Sequence, residues 1–170
     1  KTGFYQKKFF DETLTDMNMG KSETPWPVFR LGEIYLNLAE AAMELNRTAE
    51  ALNAVNKIRE RAGIVLLSKI NMDNVRHERR VELAFEGHRF WDLKRWRMAH
   101  LDVDQGGLNG FRGTALYPWY DIRDGKYVLE RGLNPPKQVR VFLEKNYYTK
   151  INQDDMNSNP NLVQNPGYTN

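Results

Sequence analysis

With 41% apolar and 12% aromatic residues, the 170-residue chain has enough apolar matter for a buried core and makes one domain or a large piece of one. It has a formal net charge of +3 and no cysteine, which removes disulfide frameworks, thiolate metal sites and a cysteine nucleophile together. No run reaches the roughly 18 to 20 apolar residues of a membrane-spanning helix, and the chain opens without an initiator Met or a leader pattern, which reads as a processed or cut chain.

Residues 1–27 read as a lead-in: KTGFYQKKFF suits an extended strand, and a polar stretch follows up to Trp26 and Pro27. From Val28 the pattern turns helical, with Leu31, Ile34, Tyr35, Leu38, Ala41, Ala42 and Leu45 at three- and four-residue spacing. Asn46 and Arg47 form a break and Thr48 is a candidate cap. Ala51, Leu52, Val55, Ile58 and Ala62 then continue a second stripe that Gly63 stops. Two helices joined so closely form an antiparallel hairpin over 28–63, with alanines at 39, 42 and 51 allowing close approach. The hairpin resembles a tetratricopeptide unit, but a solenoid needs about three stacked units, so this one has to pack on something else. A third, long helix over 71–100, capped near Asn71, supplies part of that. Beyond it DQGGLNGFRG carries no period and reads as loop. ALYPWYDI and KYVLE flank the turn residues Arg123, Asp124 and Gly125 as a small β-hairpin. NPP interrupts the chain before the β-prone VRVFL at 139–143, and the Asn- and Pro-rich last 20 residues read as a surface loop. The elements make a mainly α fold with a small β-hairpin and long loops.

The chemistry-bearing stretch is ERRVELAFEGHRFWDLKRWR, Glu78 to Arg97. Arg76–Arg97 holds seven Lys or Arg against four Asp or Glu, so the whole net charge sits there. A basic helix is a possible nucleic-acid footprint, yet Glu78, Glu82 and Glu86 repeat every four residues along one row and repel phosphate. No nucleic acid is expected. A zinc helix needs HExxH, and His77-Glu78 is followed by Val81 where the second His belongs. A di-iron helix needs Glu-x-x-His, which none of the three His satisfies. His88 and Asp92 share a face, but two ligands without a third make no metal site. The carboxylates have nearer work: Glu82 lies three from Arg79, Glu86 three from Arg89, and Asp92 three from both Arg89 and Arg95, which favours a structural ion-pair network of Glu82, Glu86, Arg89, Asp92 and Arg95. With Phe85, Phe90, Trp91, Leu93 and Trp96 interleaved, the helix has the composition of one covered on more than one side. Gly87, costly inside a helix, suggests a neighbour packed closely against it.

These residues also carry a family likeness. Arg30 to Ala41, within FRLGEIYLNLAEAAMEL, followed by Glu78, Arg79, Glu82, Leu83, Glu86, Gly87, Arg89, Asp92, Leu93, Arg95 and Trp96 and a close on NPNLVQNPGY, resembles the C-terminal portion of SusD/RagB-type proteins. The family's usual Pro-Ile-Pro before the tail is here Lys150-Ile151-Asn152. The resemblance implies a SusD-like fold and a cell-surface outer-membrane lipoprotein, lipid-anchored through an N-terminal part absent from this chain. Such a protein binds an oligosaccharide or other nutrient and sits as a lid on a SusC-like TonB-dependent transporter, with no catalytic activity and no cofactor.

Three functions are then open: glycan binding and delivery, a tetratricopeptide-like protein–protein adaptor, and a glycosidase using two helix carboxylates. The last needs carboxyl groups about 5 to 9.5 Å apart across an open cleft, which ion-paired groups do not provide. For glycan binding, the candidates lie in and just before YPWYDIRDGKY: Trp119 and Tyr120 as ring platforms, Arg112 and Asp121 as hydroxyl partners. Against them stands simple packing, since aromatics in a hairpin pair across the strands.

Overall fold

The computed structural model describes residues 6–12, 22, 24–133 and 139–169. It divides into two compact units, one holding Gln6–Arg89 and the other the residues from Phe90 onward.

In the first unit, α1 (Leu31–Glu44) and α2 (Thr48–Arg61) form the expected hairpin. Asn46, at φ 58°, turns the chain out of α1 while Arg47 N–H reaches back to the Ala42 carbonyl at 2.7 Å. Gly63, at φ 68°, ends α2 in the same way, with Ile64 N–H on the Arg59 carbonyl at 3.1 Å. Thr48 begins α2 instead of capping it; the cap position is Arg47, without a side-chain cap hydrogen bond. The small residues do bring the helices together: Ala39, Ala42, Ala51, Ala54, Val55 and Val75 make one buried cluster, and Leu36, Ile58 and Leu83 another. The buried side of α1 is therefore Leu36, Ala39 and Ala42, while Leu31, Ile34, Leu38 and Leu45 are exposed. Apolar residues lie around much of this helix, so spacing alone placed Tyr35 and Ala42 on the core side correctly but added four leucine and isoleucine side chains that stay outside.

The link from α2 to the next helix is fixed by Asn56. Its amide donates to the Leu67 carbonyl at 2.9 Å and accepts from Leu67 N–H at 2.8 Å. Asn71 caps α3 (Met72–Glu82), accepting from Asn74 N–H at 2.8 Å while the Asn74 side chain accepts from Asn71 N–H at 3.0 Å. The expected single helix over 71–100 is two pieces. α3 ends at Glu82, the chain turns through Leu83–Gly87, and α4 runs over His88–Arg95. Phe85 at φ 66° and Gly87 at φ 81° lie in the left-handed region, which no right-handed helix can include. Gly87 is there for that angle and not for close packing, since a Cβ on it would meet nothing within 4 Å. The aromatic rings expected to be covered are not: Phe85, Phe90 and Trp91 are exposed, and the buried side chains of α3 and α4 are Val75, Glu78, Arg79, Asp92 and Leu93. Of the lead-in, residues 6–12 hold a turn at Lys8 and Phe9 in place of a strand. The start of that expected strand, residues 1–5, lies outside the described residues, as does the NPP break.

The second unit is centred on Leu93, Ala99 and Phe142, with Trp96, Met98, Leu108 and Tyr147 against them. The glycine-rich stretch read as loop is tightly bonded, with a short 3-10 turn at Val103–Gln105. Asn109 is its hub: the side-chain amide donates to the His100 carbonyl and accepts from Phe142 N–H at 2.6 Å. Val139–Leu143 forms no strand; Arg140 pairs with its neighbour segment through its N–H on the Phe111 carbonyl at 3.0 Å. β1 (Thr114–Asp121) and β2 (Lys126–Leu133) are antiparallel, with Trp119 opposite Val128 and Tyr120 opposite Tyr127. In the tail, α5 (Gln153–Ser158) stands where only loop was expected.

Candidate ligand-binding site

The carboxylates of the charged stretch are engaged in holding the helices, and mostly not with the partners that spacing offered. Arg30, at the start of α1, donates from Nε to Glu86 Oε2 at 2.9 Å, from Nη1 to Glu82 Oε1 at 2.6 Å and from Nη2 to the Glu82 carbonyl at 2.7 Å. Lys8 donates to Glu86 and to the carbonyls of Glu82 and Ala84, and Arg61 bonds Glu82 Oε1 at 2.7 Å. These cations sit where α3 ends and its last carbonyls lack helical partners. Gly32 makes room: a Cβ there would meet Arg30 Nη1 at 2.6 Å and Glu82 Oε1 at 2.9 Å. Burial alone pushes the Glu86 carboxyl up, but the hydrogen bonds and charges of Arg30 and Lys8 outweigh it and bring the group down to about 2. The Arg30 guanidinium is raised further, chiefly by its hydrogen bond to Glu86.

Two more ions behave similarly. Glu78 accepts from Arg59 at 2.6 Å, and Arg79 donates to Asn37 at 2.8 Å. Of the local pairs expected within the helix, Asp92 with Arg95 is present at 2.9 Å. Glu86 and Arg89 are separated by the break at Gly87, and Arg89 is half-buried with partners of its own. His88 Nε2 lies 3.8 Å from Glu33.

The β-hairpin does not gather its four candidates on one surface. Side chains alternate along a strand, so Trp119 shares a face with Tyr117, Asp121 and, across the ladder, Val128, whereas Tyr120 lies on the other face. There Tyr120 packs edge-on against Tyr127 at 5.1 Å, the cross-strand contact that simple packing predicts. Asp121 is buried and closes the turn, accepting from Arg123 N–H at 2.9 Å and from its guanidinium; the side-chain hydrogen bond leads in holding this carboxyl below its ordinary value. Arg112 is exposed ahead of β1. From Thr114 to Trp119 is already about 17 Å of strand, so Arg112 and Trp119 can serve one oligosaccharide but not one ring. Trp119 is 45% exposed on the face that also carries the buried Ala115 and Asp121, and Tyr120 is 51% exposed on the other face.

The fold also assembles a group that no local spacing signals. Arg97, His100, Lys145, Tyr147 and Tyr148 line a cleft of about 440 Å³. The only sequence signal was the adjacent tyrosine pair, some fifty residues away from Arg97.

Among known proteins, the model of the SusD family matches residues 1–168. A SusD-like protein of Formosa agariphila is 43% identical over 86 residues, 46% of this chain and 16% of its own length. The surface glycan-binding protein A of Bacteroides uniformis superposes with a TM-score of 0.55 at 26% identity, covering 82% of this chain and 27% of its own. A SusD superfamily protein from Parabacteroides distasonis gives 0.51 at 26%, covering 87% and 28%. The chain thus spans between 16% and 28% of the length of these relatives.

Proposed function

The chain belongs to the SusD family, and from that premise we propose that the protein it forms part of binds a glycan or comparable nutrient at the cell surface without turning it over. It passes the ligand to a SusC-like TonB-dependent transporter of the outer membrane, to which it is held by a lipid anchor outside this chain. The family match along residues 1–168 carries this reading, and the likeness to a surface glycan-binding protein supports it. The side-chain geometry agrees with the absence of turnover. Glu82 and Glu86, the carboxylates a glycosidase would recruit, converge on one Arg30 fork and not on the two sides of an open cleft. The tetratricopeptide-like hairpin gives an adaptor no support of its own, because it closes its core with α3 instead of stacking on a second hairpin.

Within this chain Trp119 is the aromatic platform we assign to ligand. An exposed ring on a strand is held at little entropic cost and offers a flat apolar face to a sugar. Calorimetric titration of the full-length protein and Trp119→Ala with a panel of oligosaccharides tests the assignment. Weaker binding with an unchanged melting temperature supports it. Equal affinities, or a loss of several degrees, make Trp119 a packing residue. Product chromatography after long incubation with the same panel tests the absence of turnover, and cleavage lost in Glu86→Gln would overturn it.

A further inference from the structure

Arg97 sits where the chain leaves α4, in a left-handed position that is usually filled by glycine or asparagine. Its φ is 55°, and around it Met98 N–H returns to the Leu93 carbonyl at 2.9 Å and Arg97 N–H to the Lys94 carbonyl at 3.1 Å. A β-carbon is disfavoured at that angle, so a long charged residue here costs the helix end something. Such outliers are a reason to ask what the side chain does. The Arg97 guanidinium lies over two rings, 4.5 Å from the centroid of Tyr147 and 5.2 Å from that of Tyr148, and its Nη2 donates to the Tyr148 hydroxyl at 2.8 Å. Two stacks and one hydrogen bond orient the fork and leave most of its donors uncommitted.

The surrounding walls are similarly fixed. The Tyr147 hydroxyl meets His100 Nδ1 at 2.8 Å and accepts from His100 N–H at 3.2 Å. The tail closes the other side: Tyr168 donates to the Tyr148 carbonyl at 3.1 Å and Asn165 to that of Thr149 at 2.6 Å. Gly167 lies so close to Lys145 that a Cβ on it would stand 2.7 Å from the lysine Cβ. Lys145 thereby brings its ammonium to the same cleft, 5.3 Å over the Tyr168 ring and with no acceptor among the described residues. Glu144 is the acidic group present; it is 82% exposed and leans to His100 Nε2 at 3.7 Å, while Arg97 and Lys145 both line the cleft.

A cleft of about 440 Å³ falls within the usual range for small-ligand sites, about 300 to 1,000 Å³. A fork already held against aromatic rings beside a second cation recognises planar or tetrahedral oxyanions. From this arrangement we infer that the cleft is a subsite for an anionic sugar residue, one carrying a carboxylate or a sulfate ester. The inference rests on the glycan-binding reading, though not on the hairpin.

The test is calorimetric titration of the full-length protein with three probes of equal length: an oligogalacturonate, a sulfated galactan oligosaccharide and a neutral galactan oligosaccharide. One or both acidic probes should bind at least tenfold more tightly than the neutral one, and the probe that binds identifies the anion. Arg97→Gly should fold as well as the parent, because glycine prefers that backbone angle, and should weaken acidic binding by about tenfold or more. Lys145→Gln, on the rim, should weaken it in the same direction, with neutral binding unchanged. Acidic binding unaltered in both variants, or equal affinity for charged and neutral probes, overturns the subsite and leaves glycan binding standing. No binding of any oligosaccharide, in this panel or the one used for Trp119, overturns both.

Discussion

Replacing Glu86 by Gln keeps the shape of the side chain and removes its charge from between Arg30 and Lys8. The carboxyl is lowered from 4.5 to about 2 in the folded protein, with the side chain 4% exposed. At 1.36 kcal/mol per pH unit that difference stabilises the fold by about 3 kcal/mol at neutral pH. Because the folded value lies below the unfolded one, the contribution is complete above the unfolded value and disappears as pH falls through the folded one. At pH 3 roughly 1.4 kcal/mol should remain. Urea unfolding of the full-length protein and Glu86→Gln at pH 7 and pH 3 measures this. The variant should lose about 3 kcal/mol at pH 7 and close much of the gap at pH 3, since the glutamine has no proton to bind. Parallel stability curves for the two proteins between these pH values would refute the assignment of Glu86 as an ionised structural clamp, and with it the account of how the end of α3 is closed.

Three other substitutions probe different parts of the chain. Asn71→Ala removes the cap of α3 and one half of its reciprocal pair with Asn74, and should cost about 1 kcal/mol, read as a lower denaturation midpoint with an unchanged slope. Gly107→Ala would place a Cβ 1.9 Å from the Leu101 carbonyl oxygen; about 3 kcal/mol or more should be lost, and a melting temperature equal to the parent's would show that the glycine-rich segment is looser than its hydrogen bonds suggest. Trp119→Ala, at a half-exposed position, should change the melting temperature by little while weakening oligosaccharide binding, as titration of the full-length protein will show.

Some readings succeeded because their signals are local. The hairpin of α1 and α2 follows from apolar spacing and from residues that tolerate left-handed backbone at the helix ends. The cap at Asn71 and the β-hairpin around Asp124-Gly125 were readable for the same reason. The break after Glu82 was not. Glu86, Gly87 and Arg89 have helical spacing, and the partners that make a turn favourable there, Lys8 and Arg30, are 78 and 56 residues away from Glu86. Spacing therefore suggests ion pairs within a helix, whereas most of them join segments distant in sequence.

The candidate site shows the same division. An alternating strand alone puts Trp119 and Tyr120 on opposite faces, and that much was available from the sequence. How each ring is engaged was not, since both stay exposed and only Tyr120 meets a cross-strand ring, that of Tyr127. Residue type and short-range spacing determined the family, the helical hairpin and the cap at Asn71, since backbone preference and nearest-neighbour contacts act over a few positions. The choice of ion-pair partners, the buried stripe of α1 and the cleft around Arg97 were decided only in the folded chain, where charges and rings distant in sequence come within a few ångströms and desolvation makes their pairing obligatory.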